Sequence, residues 1–195
     1  MTDLSATAST TAGRGKRERL IDAARRLFHE QGVEKTTIAD IAQAADVPVG
    51  NVYYYFKTKD DLIGAAIAAH HTDIVGMLAS FDRHHTPKGR LKAFLRALAG
   101  QRETAARYGC PHGTLCSELD KRSDGLAPSP VELLQPTIDW AEAQFRAMGR
   151  RDARDLAVAL IAAYQGISLI SNTFRDPALM QREVQRLERW VDRLA

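Results

Sequence analysis

The sequence contains very little cysteine. Cys110 and Cys116 are the only two among 195 residues, which is too few for a fold built on disulfide bonds. We expect a cytosolic setting to keep both thiols reduced. The small disulfide-rich secreted domains are therefore excluded as a class.

Long apolar runs and targeting signals are also missing. The most apolar stretch, residues 156–170, is shorter than a bilayer requires and is interrupted by Tyr164, Gln165, Gly166 and Ser168. The N-terminus does not have the pattern of a secretory signal. These features predict a cytoplasmic protein with no membrane partner.

A strong charge imbalance is absent as well. Lysine and arginine total 27 and aspartate and glutamate total 24, which gives a net charge of +3 and a pI near 9.0. This mildly basic balance permits a nucleic-acid partner without requiring one. The hydrophobic content of 45% and the charged content of 26% are typical of a soluble globular protein.

No segment alternates apolar and polar residues in the manner of a β-strand, and no internal repeat is present. From residue 14 onward apolar residues recur at helical spacing, including one long helix predicted over 88–108. Residues 1–13 are rich in Ser, Thr and Ala and are predicted to form a disordered tail. The pattern predicts an all-α fold with an N-terminal domain over 14–58 and a larger C-terminal domain over 59–195.

Two short helices joined by a tight turn, within residues 37–56, have the pattern of a helix-turn-helix. Thr37 begins the first helix, with Asp40 three residues later as a variant of the capping box. Pro48 suits the first turn of the second helix because its φ angle is already fixed. The motif predicts an N-terminal three-helix domain that binds DNA.

The second helix of such a motif lies in the major groove. If Val52 and Phe56 face the core, the opposite face is available for DNA, with Tyr53 at the boundary where its hydroxyl reaches a phosphate. Asn51 is able to make the bidentate amide pair with adenine, and lysines such as Lys59 contact phosphates. The residues predicted to contact DNA are Thr37, Val49, Gly50, Asn51, Tyr53, Tyr54, Tyr55, Lys57 and Lys59.

The segment TTIADIAQAADVPVGNVYYYFKTKDDL, together with the preceding LIDAARRLFHEQGVEKTT, resembles the DNA-binding domain of the TetR family of bacterial transcriptional repressors. The resemblance extends from about Arg17 to Leu62. Asp46 stands where the family usually has glycine, and aspartate still adopts a turn conformation. Val49 stands where many relatives have Lys, Arg or Gln, which suggests an apolar contact with DNA in place of a hydrogen bond.

The resemblance implies a transcriptional repressor that a small-molecule effector releases from a palindromic operator. It implies a homodimer whose last two helices pair with those of a second subunit, and no cofactor or enzymatic activity is expected. The stretch LAVALIAAYQGISLI agrees, because a helix that is apolar nearly all round is normally buried on several sides. The predicted interface residues are Leu156, Leu160, Ala163, Ile167, Leu187, Trp190 and Val191.

Candidate effector contacts lie on the middle helices, where apolar and aromatic walls would combine with a few polar groups. The predicted pocket residues are His70, Phe94, Leu98, Cys110, His112, Trp140, Gln144 and Tyr164. The segment 108–119 leaves three interpretations open: packing beside the cavity, a redox or electrophile switch with a lowered thiol pKa, or a metal site formed by Cys110, His112 and Cys116. A thiol enzyme using a Cys-His pair is a further alternative, although no third orienting group supports it.

Overall fold

The computed structural model describes residues 15–121 and 129–194, so the predicted tail over 1–13 lies outside the described residues. Within these ranges the chain is all-α, as predicted, and one turn of 3-10 helix at Phe81–Arg83 follows the fourth helix. The α-helices are α1 (Lys16–Gln31), α2 (Ile38–Ala44), α3 (Val49–Tyr55), α4 (Lys59–Ser80), α5 (Pro87–Gly100), α6 (Arg102–Tyr108), α7 (Pro111–Leu119), α8 (Val131–Ala147), α9 (Ala153–Phe174) and α10 (Pro177–Asp192).

The chain divides into two compact units, the first ending at Ala69 and the second beginning at His70. The domain boundary predicted between residues 58 and 59 coincides with the beginning of α4, whereas the compact units divide within that helix. Side chains in the first half of α4, including Leu62 and Ile67, are buried and belong to the first unit.

The first unit is built around the apolar face of α1. Leu20, Ala24 and Phe28 recur at helical spacing on this face and are buried. α1 ends at Gln31 and is capped by Gly32, whose φ of 89° suits a residue without a Cβ. The Gly32 amide donates to the Phe28 carbonyl at 3.1 Å. The buried Thr36 hydroxyl donates to the Gly32 carbonyl at 2.6 Å and fixes the chain as it enters α2.

The turn between α2 and α3 contains a strained residue. Asp46 has a φ of 52°, a left-handed conformation that costs most residues energy and glycine none.

Asp46→Gly is therefore expected to increase the free energy of unfolding by about 0.5–1 kcal/mol, measured by urea denaturation. Ala68→Gly, at an exposed position in the right-handed interior of α4, should instead lower it by about 1 kcal/mol. A destabilising Asp46→Gly would contradict the strain assignment.

The second unit has a core formed by α5, α8, α9 and α10, with α6 also packed against α9. Its largest fully buried side chains include Phe94, Phe145, Leu160 and Met180. The helix predicted over 88–108 is in fact two helices, because Gln101 (φ −97°, ψ 13°) leaves the regular helical conformation after Gly100. Glycine has a low helix propensity, which explains why α5 ends there.

Two segments, Lys59–Arg83 and Ala153–Phe174, are long and apolar enough to cross a membrane by length and composition alone. The expectation that no apolar segment is long enough to span a bilayer was therefore wrong. Length and composition are weak evidence for a membrane span, since core helices of soluble proteins have the same properties. One face of α9 is buried in the core of the second unit through Ala157, Leu160 and Tyr164.

Candidate nucleic-acid interface and effector cavity

α2 and α3 form the predicted helix-turn-helix, and α2 begins with the predicted capping box. The Thr37 hydroxyl accepts from the Asp40 amide at 3.1 Å, and the Asp40 carboxylate accepts from the Thr37 amide at 2.8 Å. The Thr37 hydroxyl also donates to the Asp40 carboxylate at 2.7 Å. The hydrogen bonds that this carboxylate accepts, first from the Thr37 amide and then from the hydroxyl, lower the pKa of Asp40. Thr37 remains exposed at the end of the helix.

The two faces of α3 differ sharply in exposure. Val52 and Phe56 are buried, as predicted. On the outward face Tyr53 is 47% exposed and Tyr54 is 79% exposed. Tyr55, predicted to point outward, is half-buried and its ring lies edge-on to Tyr54 with 5.0 Å between centroids. Tyr55, rather than Tyr53, therefore lies at the boundary between the buried and the exposed face. Tyr55 follows the buried Val52 by three residues, a spacing that returns a side chain toward the same face of a helix.

The remaining predicted contacts surround this outward face. Val49, Gly50 and Asn51 in the first turn of α3 are exposed. After the helix, the Lys57 ammonium donates to the Tyr53 carbonyl at 2.6 Å, and the Lys59 ammonium donates to the Glu34 carbonyl at 3.4 Å. The Lys57 ammonium thus lies against the last turn of α3, and the Lys59 ammonium lies against the segment that precedes α2.

The second unit contains a small cavity of about 60 Å³ among α4, α5, α7, α8 and α9, which we call the inner cavity. Five of the predicted pocket residues line it: Phe94, Leu98, Cys110, His112 and Tyr164. The lining residues that sequence reasoning missed are Ile74, Met77, Gln101, Pro111, Leu134, Thr137, Ile161 and Gln165. Ile161 could have been found from the helical spacing, because it precedes the predicted Tyr164 by three residues on α9.

Three predicted pocket residues lie outside the lining of the inner cavity. Trp140 packs behind it, with its ring centroid 5.5 Å from that of Phe94. Gln144 is buried and accepts from the Arg90 guanidinium at 3.4 Å. His70 lies edge-on to His112, with 5.0 Å between ring centroids. Trp140 and His70 thus contact residues that line the cavity, and the predicted contact of all three residues with an effector stays a prediction.

Known proteins resemble the chain in both sequence and structure. The family model described as bacterial regulatory proteins, tetR family, matches residues 20–66. Over 193 residues the chain is 42% identical to the HTH-type transcriptional regulator TtgR of Pseudomonas putida, covering 90% of this chain and 88% of that protein. The chain belongs to the TetR family of bacterial regulatory proteins.

Further similarity to TetR-family proteins covers most of the chain. The HTH-type transcriptional repressor DhaR of a Mycobacterium species is 31% identical over 165 residues, which are 78% of this chain and 80% of that protein. The crystal structure of regulatory protein TetR from Rhodobacter sphaeroides has a TM-score of 0.78 at 26% identity, covering 89% of this chain and 97% of that one. The chain is thus a TetR-family transcriptional regulator with an N-terminal helix-turn-helix and a C-terminal helical domain.

The thiols of this TetR-family chain give little support to the alternative interpretations of residues 108–119. Burial, followed by the nearby charge of Asp120, raises the pKa of Cys116 to about 11, whereas a reactive thiol needs a lowered pKa. Burial and then the neighbouring Cys110 likewise raise the pKa of Tyr164. Across residues 15–121 and 129–194, no group of three or more His, Cys, Asp or Glu residues is placed to hold a metal ion.

Proposed function

We propose that this TetR-family regulator is a cytoplasmic repressor that binds an inverted-repeat operator as a homodimer. A small molecule in the inner cavity releases it from the DNA. The outward face of α3 is the observation that carries the proposal. Two large aromatic side chains, Tyr53 and Tyr54, are exposed there beside Asn51, and contact with a DNA groove would give these rings a partner.

Gly50 supports this orientation of α3. No atom lies within 4 Å of the position that a Cβ at Gly50 would occupy, so packing within the protein does not require glycine there. Close approach to DNA would require it, because any side chain would hold the backbone away from the groove. The exposed Val49 beside it offers a methyl surface to a thymine methyl group.

Contacts with phosphates would come from groups around the same face. The Tyr53 hydroxyl and the ammonium groups of Lys57 and Lys59 are proposed to bind them, with Thr37 at the beginning of α2. The lysine contacts with carbonyl oxygens at 2.6 and 3.4 Å are hydrogen bonds that a phosphate would partly replace. These groups fix the position of α3 on the duplex, and Asn51 reads the bases.

The homodimer is proposed to form on an exposed apolar face of α9. Leu169 is 67% exposed and Phe174 is 70% exposed, and both Val158 and Ile170 are also exposed. An apolar face of this kind is typical of a subunit interface. A two-fold arrangement would pair the same face from both subunits and present two α3 helices to a palindromic operator.

The predicted interface residues fall into two groups. Leu160, Ile167 and Val191 are buried within the chain itself and belong to its core, so we no longer propose them as direct contacts. The side chains on the other helix faces remain partly exposed and stay in the proposed interface next to the newly assigned residues. They are Leu156, Ala163, Leu187 and Trp190.

An effector is proposed to act through α4. Ile74 and Met77 of this helix line the inner cavity, and the same helix begins at Lys59, which we assign to DNA. An effector that fits the cavity better in one position of α4 would favour that position and disfavour operator binding. By linkage, the operator and the effector then weaken each other's binding to the same extent.

The proposed function is tested by selecting binding sites for the full chain from random duplex DNA. We expect one enriched sequence with two inverted half-sites, because a two-fold protein reads two-fold DNA. The half-site centres should lie about one helical turn apart, roughly 10 base pairs, or a multiple of it. Selection of no sequence, or of a single site without symmetry, would contradict the proposal.

A further inference from the structure

A second cavity lies beside the inner cavity. It measures about 280 Å³ between α7 and α9, and we call it the outer groove. Its lining residues are Gly109, Cys110, Gly113, Thr114, Ser117, Gln165, Ser168, Leu169 and Asn172. Cys110 and Gln165 line both cavities, so these two residues form the wall between them.

Gln165 is the longer of the two side chains in this wall, and its contact with the other is weak. The Gln165 amide nitrogen donates to the Cys110 sulfur at 3.6 Å, which is a weak hydrogen bond because thiol sulfur is a weak acceptor. On its other side the amide lies against Gly113, where a Cβ would come within 2.3 Å of the Gln165 Oε1 atom. Rotation of Gln165 would therefore open the wall without moving the backbone.

The outer groove contains a polar group without a partner. Ser168 is 1% exposed, and its hydroxyl has no hydrogen-bond partner in the structure. A buried hydroxyl in this state lowers stability, and native proteins rarely retain one. Because Ser168 lines the outer groove, a hydroxyl or carbonyl group in the groove would supply the missing hydrogen bond.

The two cavities together match the size of a ligand site better than either alone. The inner cavity, at about 60 Å³, is far smaller than the roughly 300–1,000 Å³ of usual small-molecule sites. With the 280 Å³ of the outer groove, the space reaches the lower end of this range. Apart from His112, the described residues that line the two cavities include no side chain of an acidic or basic residue, so an ionic ligand would meet no permanently charged partner.

We propose that the inner cavity and the outer groove are two compartments of one effector site, joined when Gln165 turns aside. Its ligand is an uncharged, elongated molecule. An apolar body fills the inner cavity beside Phe94, and a hydroxyl or carbonyl group binds Ser168 in the outer groove. This inference rests on the proposed effector-responsive function and specifies the chemistry of the effector.

The test uses primary alcohols from butan-1-ol to decan-1-ol as probes of the full chain without DNA, with binding measured by titration calorimetry. Affinity is expected to rise about fourfold per added methylene group while the two compartments fill. Decanoate and decylammonium ions, matched in length to decan-1-ol, should bind at least tenfold more weakly. Affinity that stops rising at butan-1-ol, or equal binding of the ions, would overturn the proposal.

Two variants of the site and one matched control locate the binding. Ser168→Ala should weaken alcohol binding about fivefold, the value of one hydrogen bond. Ser171→Ala removes another buried hydroxyl without a partner from the same helix, but Ser171 lines neither cavity and alcohol affinity should not change. Gln165→Ala should strengthen decan-1-ol binding more than butan-1-ol binding. Equal effects of the two serine variants on alcohol binding would contradict the assignment.

A separate measurement distinguishes this proposal from the function on which it rests. Operator binding is measured without alcohol and then with decan-1-ol. Failure to bind any operator would contradict the repressor function, while the calorimetric result would still decide the ligand site. Operator binding by a chain that binds none of the alcohols would preserve the repressor function and overturn the two-compartment site.

Discussion

A chain carrying Ile170→Glu together with Phe174→Glu is expected to be a monomer in solution and to lose specific operator binding. Both side chains lie on the exposed face of α9. If that face is buried in the dimer, the two glutamates of each subunit would lose their hydration without gaining partners. The free energy of this desolvation would exceed what subunit pairing returns. Light scattering at micromolar concentration measures the assembly state.

Loss of operator affinity follows from the loss of symmetry. A monomer is able to contact one half-site at a time, and the base pairs of the other half-site contribute about 1–3 kcal/mol each when they are read. We therefore expect operator affinity to fall by more than about 100-fold, measured by fluorescence anisotropy.

Helix content should distinguish dissociation from unfolding. Because Ile170 and Phe174 are exposed in the single chain, their replacement should leave the circular dichroism spectrum of the variant close to that of the parent. Val131→Glu is the matched control, since Val131 is a similarly exposed apolar residue on another helix, α8. It should leave both the dimer and operator binding unchanged. A double variant that remains dimeric would place the interface elsewhere.

The exposed face of α3, which we propose binds DNA, could be predicted from the sequence because it depends on contacts that are close together along the chain. The Thr37–Asp40 capping box spans three residues, and the burial of Val52 and Phe56 follows from helical spacing alone. Only the exposure of Tyr53 and Tyr55 was assigned wrongly. Successive side chains in an α-helix differ in direction by about 100°. A small error in the orientation of α3 therefore exchanges the exposed position with the boundary position, and Tyr53 with Tyr55.

The residues of the inner cavity and of the exposed face of α9 were predicted less well because they depend on how whole helices are rotated in the fold. α9 is apolar nearly all round, and its sequence does not show which apolar face is turned inward. Leu160 lies in the core, whereas Leu169 is exposed. Phe94 lines the inner cavity, and Trp140 packs against Phe94 without lining the cavity itself. This arrangement depends on how α5 and α8 pack together, which the sequence of neither helix shows by itself.

Asn51 is the residue of α3 that we expect to read a base. Asn51→Ala is expected to weaken binding to the selected operator by about 1–3 kcal/mol, because the amide would lose a bidentate pair with adenine. The loss should be specific to sequence: preference for one base position in each half-site is relaxed, and binding to unrelated duplexes changes little. Anisotropy titrations against operators substituted at single positions measure this effect.

Lys59→Ala is the matched comparison, since it removes a group assigned to phosphate. It should weaken binding to all duplexes alike and lower the magnitude of the salt slope by about one per subunit. Tyr53→Phe, which removes only a hydroxyl, should have the same pattern with a loss near 1 kcal/mol. Asn51 is exposed, so its replacement should not disturb the core in which the neighbouring Val52 is buried. If Asn51→Ala lowered affinity for every sequence equally, α3 would not be the element that reads the bases.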